Sequence, residues 1–209
     1  MNRIDPTTIR FDKADGLVPA IVQHAESGSV LMLGFMNALA LESTQNSGRV
    51  TFFSRRRQQL WTKGESSGHV LEVVDIAKDC DDDAVLVLAR PRGPTCHRNT
   101  PSCFDPAPAP QFSFLAQLDA LILTRERERP LGSYTSGLFD SGVRGIAQKV
   151  GEEAVETVLA AVTQDDAALC AESADLLFHL MVLLRSRSLG LTDVITQLRL
   201  RHNIALRNP

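Results

Sequence analysis

The chain has 209 residues, 44% of them hydrophobic and 22% charged, and its formal net charge at pH 7 is −3. This composition is typical of a globular protein with a buried core and excludes disordered and fibrous classes. The negative charge argues against general nucleic-acid binding. The N-terminal segment is charged throughout, and the longest apolar run, LLFHLMVLL, is shorter than a membrane span. We therefore expect a soluble, cytoplasmic protein without a membrane-bound part.

The first half of the chain shows the period of two that is typical of β-strands. VPAIVQHA and VLMLGFM flank the turn signal ESGS, and RVTFFS, HVLEVVDIA and AVLVLA follow. One helix interrupts them, with Asn37 as its N-cap and Gly48 at its C-cap position. Residues 1–104 are predicted to form an α+β domain of mostly antiparallel strands with one helix.

A proline-rich segment then separates two kinds of pattern. FDPAPAPQ has prolines in alternate positions, which remove backbone donors and favour an extended path, so residues 105–111 are predicted to be a linker. Beyond it, SFLAQLDALILTRERE, GIAQKVGEEAVETVLAAV, DAALCAESADLLFHLMVLLRS and TDVITQLRLRHN have the helical period and end at Gly, Pro, Ser or Asp-rich breaks. Residues 112–209 are predicted to be an all-α domain.

The turn DCDDDA joins two predicted strands and carries four carboxylates and a thiol. If it stays extended, alternation places Asp79, Asp81 and Asp83 on one face and Cys80 on the other. Carboxylate oxygens suit magnesium, whereas thiolates select a soft metal such as zinc. Cys96 and Cys103 can complete a three-sulfur site with one open position for water. The alternative is that these cysteines are free or structural and the aspartates form a solvated turn.

Other polar side chains near these cysteines have two interpretations each. His97 is either a fourth zinc ligand or a general base beside the metal. His69 has the same ambiguity, although a histidine at a strand start is more often a surface residue. The basic segment SRRRQQLWTKG is either a solvated charge run or a phosphate-binding patch, in which Arg55, Arg57 and Lys63 contact the substrate.

The segments GLVPAIVQHAESGSVLMLGFMN, FFSRRRQQLWTKGESSGH, DCDDDA and GPTCHRNTPSCF resemble phosphoribosyl-AMP cyclohydrolase of histidine biosynthesis, over nearly all of residues 16–104. The resemblance implies hydrolytic opening of the adenine ring at N1–C6 by zinc-activated water. It implies that Cys80, Cys96 and Cys103 bind Zn²⁺, that Asp79, Asp81 and Asp83 bind Mg²⁺, and that a homodimer shares the zinc cysteines between subunits. His69 stands where that family more usually has asparagine.

In the second half, acidic residues fall on helical stripes. Lys149, Glu152, Glu153 and Glu156 share one stripe, whose default explanation is the wet face of an amphipathic helix. The next helix is apolar nearly all round, which predicts burial, yet Glu172, Asp175 and His179 share a stripe on it. Burying an unpaired carboxylate costs several kcal/mol of folding free energy. If the two acidic stripes face each other, they therefore predict one or two bound magnesium ions. The alternative is a buried ion-pair network with Lys149, but one lysine cannot balance the charge of so many carboxylates.

The acidic motifs EEAVE and ESAD resemble those of the all-α nucleoside-triphosphate pyrophosphohydrolases. More narrowly, residues 112–201 resemble phosphoribosyl-ATP pyrophosphatase, through SYTSGLFDSGVRGIAQKVGEEAVETVLAA and ESADLLFHLMVLL. The resemblance implies hydrolysis of phosphoribosyl-ATP to phosphoribosyl-AMP and pyrophosphate. It makes Glu153 catalytic and Lys149 a phosphate contact, and the implied magnesium ligands are Glu152, Glu153, Glu156, Glu172 and Asp175. Ser133–Thr135 reads either as a phosphate loop or as a helix-initiating turn.

Together the two resemblances predict a bifunctional hydrolase acting on phosphoribosyl nucleotides. One rival is a general nucleotide pyrophosphohydrolase whose N-terminal domain only binds nucleotide. Another is a zinc-bearing interaction module without activity. Cys170 matches no motif and is interpreted as a small core residue.

Overall fold

The structure, a computed structural model, describes residues 2–106 and 110–207. The chain divides into two compact units, Met1–Phe114 and Leu115–Pro209. The predicted linker, residues 105–111, ends before this division, and its residues 107–109 lie outside the described part of the chain. The order of elements confirms the predicted fold class, since a strand-rich unit with one α-helix precedes a helical one.

The N-terminal unit is built on a four-stranded sheet. After two short 3-10 helices (Pro6–Thr8 and Phe11–Ala14), its elements are β1 (Val18–His24), β2 (Val30–Met36), α1 (Ala38–Ser47), β3 (Thr51–Ser54), β4 (Gln59–Thr62), β5 (Leu71–Lys78) and β6 (Val85–Pro91). The sheet order is β2-β1-β6-β5, and β3 pairs with β4 in a separate two-stranded sheet. Neighbouring strands are antiparallel except β1 and β6, which run parallel.

The single helix α1 begins and ends where the sequence predicts. The Asn37 side chain accepts a hydrogen bond from the backbone N–H of Ala40 at 2.8 Å, which satisfies one of the free donors of the first turn. Gly48 follows the helix with a φ of 66°, a left-handed conformation that glycine adopts without steric cost.

Alternation along the strands separates a buried face from an exposed one. Val18, Ala20 and Val22 of β1 are almost completely buried, whereas Ile21 between them is 37% exposed. The buried face packs with α1 and the β3–β4 sheet through residues such as Leu41 and Phe52. Gly34 of β2 is required here, because the Phe52 ring occupies the space where a β-carbon of residue 34 would lie.

The segment between β5 and β6 is a tight turn, so the condition for alternation, that residues 79–83 stay extended, is not met. Asp82 has a φ of 64°, and the backbone N–H groups of Asp83 and Ala84 donate to Oδ1 of Asp79 at 2.9 and 3.0 Å. Aspartate side chains form such local bonds in competition with extended backbone. Strict alternation therefore does not describe where these side chains lie.

The C-terminal unit contains only helices among its described residues. They are α2 (Ser113–Glu128, which starts just before the division), α3 (Tyr134–Asp140), α4 (Gly142–Thr163), α5 (Asp166–Arg185) and α6 (Leu191–Arg207). Its core contains Ile122, Leu138, Phe139, Ile146, Met181 and Val182. A bidentate ion pair between Asp119 and Arg185 joins α2 to α5. The Ser133 hydroxyl accepts from the Ser136 N–H at 3.3 Å, so residues 133–135 start a helix.

Helix α5 corrects two predictions about burial. It was expected to be buried nearly all round, but in the single chain its buried residues are His179, Met181 and Val182. Cys170, expected in the core, is exposed. A helix that is apolar on most sides has more apolar surface than its neighbours in a single chain can cover. Periodicity alone does not show which side remains exposed. By length and composition alone α5 could also cross a membrane, a test that core helices of soluble proteins pass too.

Candidate active sites

The turn between β5 and β6 brings three carboxylates together. Ligand oxygens of Asp79, Asp81 and Asp83 all lie within 4.8 Å of one another. The fourth carboxylate, on Asp82, pairs instead with Lys78 at 2.6 Å, and the Asp82 carbonyl accepts the backbone N–H of Arg10, also at 2.6 Å. The turn thus separates one aspartate from the cluster and gives the other three the ligand chemistry of a hard divalent cation.

Cys96 and Cys103 lie in the segment that follows β6. Both line a cavity of about 580 Å³. Cys96 is buried, and its Sγ accepts the backbone N–H of Arg98 at 3.5 Å. This hydrogen bond is the largest cause that lowers the pKa of the Cys96 thiol. Burial raises the pKa of Cys103, and the neighbouring Cys96 raises it further. The two sulfurs therefore differ in acidity, and Cys96 is the one whose thiolate, the form that binds metal, is favoured.

Cys80 does not join this pair within the chain. It is exposed on the acidic turn, with its Sγ 4.0 Å from Oδ1 of Asp81. Among the described residues, no group of three ligand atoms within 4.8 Å of one another contains a cysteine. The structure of one chain therefore assembles two of the three predicted sulfur ligands.

Two histidines lie at the cysteine cavity. His97 is exposed, with its Nδ1 3.8 Å from the Cys96 Sγ. His69, which the sequence suggested was only a surface residue, lines the cavity with Trp61, Glu65 and Thr95. Its ring lies against Gly93, where an added β-carbon would come within 2.7 Å of the His69 Cδ2. The sequence signal for His69 was its place at the end of the segment FFSRRRQQLWTKGESSGH.

The residues of the basic segment SRRRQQLWTKG do not lie together. Lys63 is buried in the cysteine cavity and lowers the pKa of Cys103 in opposition to the burial effect. Arg55 holds its guanidinium 3.9 Å from the centre of the Phe35 ring and lines a different cavity of about 730 Å³, with Asn37 and Gln58 among its other residues. Arg57 lies in the β3–β4 turn and lines neither cavity.

In the C-terminal unit, Glu153 and Glu156 of α4 meet Glu172 of α5. Their ligand oxygens lie within 4.8 Å of one another, and Glu153 is only 6% exposed. The charge on Glu153 is the largest cause that raises the pKa of Glu156, followed by burial and by Glu172. Like charges this close favour a bound cation, because a cation offsets the repulsion that raises the pKa of Glu156.

Two of the five predicted ligands lie outside this group. Glu152 is exposed and accepts hydrogen bonds from Lys149 at 2.9 Å and from Gln148 at 2.8 Å, and the Lys149 bond is the largest cause that lowers its pKa. Lys149 Nζ also lies 3.6 Å from Glu153 Oε1. Asp175 is exposed, and its carboxylate does not join the three glutamates.

Comparison with known proteins gives both units a match. Residues 32–105 match the family model described as phosphoribosyl-AMP cyclohydrolase, and residues 115–202 match the one described as phosphoribosyl-ATP pyrophosphohydrolase. The chain is 62% identical to the "histidine biosynthesis bifunctional protein HisIE" of Xanthomonas axonopodis pv. citri (strain 306), over 95% of each chain. It is 59% and 57% identical to the proteins of that name from Salmonella typhimurium (strain LT2) and Escherichia coli (strain K12), over 92% of this chain and 94% of each of theirs.

Proposed function

This chain belongs to the family of the histidine biosynthesis bifunctional proteins, and we propose that its two units catalyse two successive hydrolyses of that pathway. The C-terminal unit hydrolyses phosphoribosyl-ATP to phosphoribosyl-AMP and pyrophosphate. The N-terminal unit then opens the adenine ring of phosphoribosyl-AMP between N1 and C6. The observation that carries the proposal is that one chain holds two separate ligand sets, thiols in a cavity and glutamates between two helices.

In the N-terminal unit, Cys80, Cys96 and Cys103 would hold Zn²⁺, and Asp79, Asp81 and Asp83 would hold Mg²⁺. The donor sets fit these ions, since thiolate sulfur suits zinc, carboxylate oxygen suits magnesium, and the Cys96 thiol already has a lowered pKa. When bound, zinc supplies a water of lowered pKa as the nucleophile.

The residues of the cavity provide the rest of the ring-opening chemistry. His97, next to Cys96, takes the proton of the water that adds to C6, and N1 gains a proton as its bond to C6 breaks. Lys63 supplies positive charge inside the cavity, where burial strengthens its attraction for the substrate phosphate. Arg55 and Arg57 are weaker candidates for substrate contacts, since neither lines this cavity.

The separation of Cys80 from the other two thiols supports a homodimer. Cys80 of one subunit would complete the sulfur set of the other subunit, so that each zinc site is incomplete in one chain. Three exposed apolar residues lie side by side across the open face of the sheet, because Ile21 pairs with Leu33 on one side and with Leu86 on the other. Such a surface is suited to a second copy of the chain.

In the C-terminal unit, Glu153, Glu156 and Glu172 would hold Mg²⁺, with Glu152 and Asp175 as further candidates in the loaded enzyme. Magnesium, when bound, would supply positive charge to offset the negative charge of the phosphate chain. Glu153 is the buried member of the cluster and orients the attacking water, while Lys149 contacts the phosphate chain. We also infer that the protein works in the cytoplasm, because its zinc thiols must stay reduced.

The proposal is tested directly by supplying the protein with phosphoribosyl-ATP, Zn²⁺ and Mg²⁺. We expect pyrophosphate release followed by the ring-opened product, and ring opening alone when phosphoribosyl-AMP is supplied. Equal cleavage of ordinary nucleoside triphosphates, without ring opening, would support a general nucleotide pyrophosphohydrolase instead. Tightly bound zinc with neither reaction would support a non-catalytic interaction module.

A further inference from the structure

A buried histidine of α5 joins the carboxylate cluster of the C-terminal unit to the start of α3. His179 is 4% exposed, and its Nε2 lies 2.9 Å from the hydroxyl of Tyr134, the first residue of α3. Its Nδ1 lies 2.9 Å from the carbonyl oxygen of Asp175 and 3.7 Å from Oε1 of Glu153. One ring therefore contacts three neighbours with its two nitrogens.

The contact with the Asp175 carbonyl fixes one proton of the ring. A carbonyl oxygen only accepts, so Nδ1 carries a hydrogen and donates it to Asp175. With the hydrogen on Nδ1, the neutral tautomer has a lone pair on Nε2 that accepts the proton of the Tyr134 hydroxyl. Glu153 faces the ring from α4, and Lys149 lies 3.6 Å from the same Glu153 oxygen.

Contacts between aromatic rings stabilise this arrangement. The Phe178 and Tyr134 rings meet His179 edge to face, at centroid distances of 5.3 and 6.0 Å, and Tyr134 stacks with Phe178 at 6.2 Å. Tyr134 is nevertheless 60% exposed. Since its proton points inward to His179, the phenol oxygen presents lone pairs on its open side.

We propose that His179 is a positioning residue for the pyrophosphohydrolase reaction, and that Tyr134, held by it, accepts a hydrogen bond from a substrate donor. Hydroxyl groups of the ribose units and the adenine amino group are donors of the right kind, whereas an ionised phosphate is not. His179 also limits the movement of the buried Glu153. This inference rests on the proposed function of the C-terminal unit.

The single tyrosine of the chain makes the hydrogen bond measurable without turnover. The tyrosine ring doublet in ultraviolet Raman spectra distinguishes a phenol that donates its proton from one that only accepts. We expect the donor signature in the wild type and in His179→Gln, whose side-chain oxygen still accepts near the place of Nε2. In His179→Leu the signature should change to that of a hydrated phenol, which both donates to and accepts from water. A wild-type phenol that does not donate overturns the proposal.

Kinetics with phosphoribosyl-ATP test the role in the reaction. Tyr134→Phe should raise KM by about fivefold with kcat little changed, since one hydrogen bond to substrate is lost. His179→Leu should raise KM similarly and also lower kcat, and the double variant should be no worse in KM than either single one. His179→Gln should recover the wild-type KM. Unchanged KM in Tyr134→Phe, or additive effects in the double variant, would refute the role.

The N-terminal unit supplies the control. Ring opening of phosphoribosyl-AMP should be unchanged in all four variants, and α-helical circular dichroism checks that the C-terminal unit is folded. If His179→Leu fails to fold, Tyr134→Phe and His179→Gln still decide the proposal through KM and the Raman doublet. A wild-type protein that releases no pyrophosphate refutes the proposed function instead, and the Raman comparison is independent of that result.

Discussion

The backbone N–H of Asp83 donates a hydrogen bond to Oδ1 of Asp79 at 2.9 Å, so the Asp79 carboxylate closes the turn that it shares with the proposed metal cluster. Two substitutions separate these roles. Asp79→Asn keeps an acceptor and should unfold like the wild type, while ring opening needs more Mg²⁺. Asp79→Ala should show the same Mg²⁺ dependence and also lose about 1 kcal/mol of unfolding free energy. Urea unfolding and Mg²⁺ titrations of the ring-opening rate measure the two effects. A wild-type Mg²⁺ dependence in Asp79→Asn would remove Asp79 from the metal site.

Cys96→Ser should abolish ring opening and leave pyrophosphate release intact. Loss of a metal ligand lowers activity by roughly a hundredfold or more, and serine does not provide a thiolate. Cys170→Ser is the matched control, because that thiol is exposed and lies in the other unit. Zinc content by atomic absorption should fall in the first variant only. If a folded Cys96→Ser protein loses both reactions, the two units do not act separately.

Glu153→Gln should have the opposite effect and remove pyrophosphate release while ring opening continues. Its neighbour Glu152→Gln is the control, since Glu152 is exposed, paired with Lys149 and outside the three-glutamate group. We expect a loss of roughly a hundredfold or more at position 153 and a much smaller one at position 152. Equal losses at both positions would mean that Glu152 also binds the metal in the working enzyme.

Mixing two inactive variants tests whether subunits share the zinc site. Cys80→Ala and Cys96→Ser should each lack ring opening alone. After joint refolding, a mixed dimer has one site with all three cysteines, so about one quarter of the wild-type activity should return for a randomly paired dimer. Mixtures that stay inactive, although mass spectrometry detects mixed dimers, would place all three ligands in one subunit.

His24 should make the stability of the N-terminal unit depend on pH. Burial is the largest cause that lowers its pKa below the ordinary value, and its Nδ1 accepts the backbone N–H groups of Glu26 and Ser27. The unfolded chain then binds the proton more readily, so stability is full above about pH 6.5 and falls as the pH drops through the lowered pKa. In His24→Asn, which keeps an acceptor without this titration, urea midpoints should change less between about pH 5.5 and 7.5. Equal pH dependence in both proteins would contradict this role.

Local signals in the sequence predicted the elements they belong to. Asn37 and Gly48 mark the ends of α1 because capping depends on a few adjacent residues. The turn after His24 joins β1 and β2 as an antiparallel hairpin, as the ESGS signal indicates. The parallel pairing of β1 with β6 could not be predicted in this way, because it depends on contacts between distant parts of the chain.

The sequence predicted which residue types form the candidate sites better than it predicted their arrangement in space. Asp79, Asp81 and Asp83 do come together, but through a left-handed turn at Asp82 and not through alternation. The signals for His69 and Tyr134 were weak, since a histidine before a strand and a tyrosine in a helix-initiating turn have many ordinary roles. His69 is positioned by packing against Gly93, and Tyr134 by its contact with His179. Both contacts form only in the folded chain.

The order of the four-stranded sheet affects how the chain folds as it leaves the ribosome. β6 lies between β1 and β5, so a nascent chain that ends before Val85 has the hairpin of β1 and β2 but no strand to link it with β5. Until that strand emerges, the apolar faces of the earlier strands stay available to chaperones, and contacts this distant in sequence form slowly. The acidic turn just before β6 keeps negative charge beside the last strand to be added.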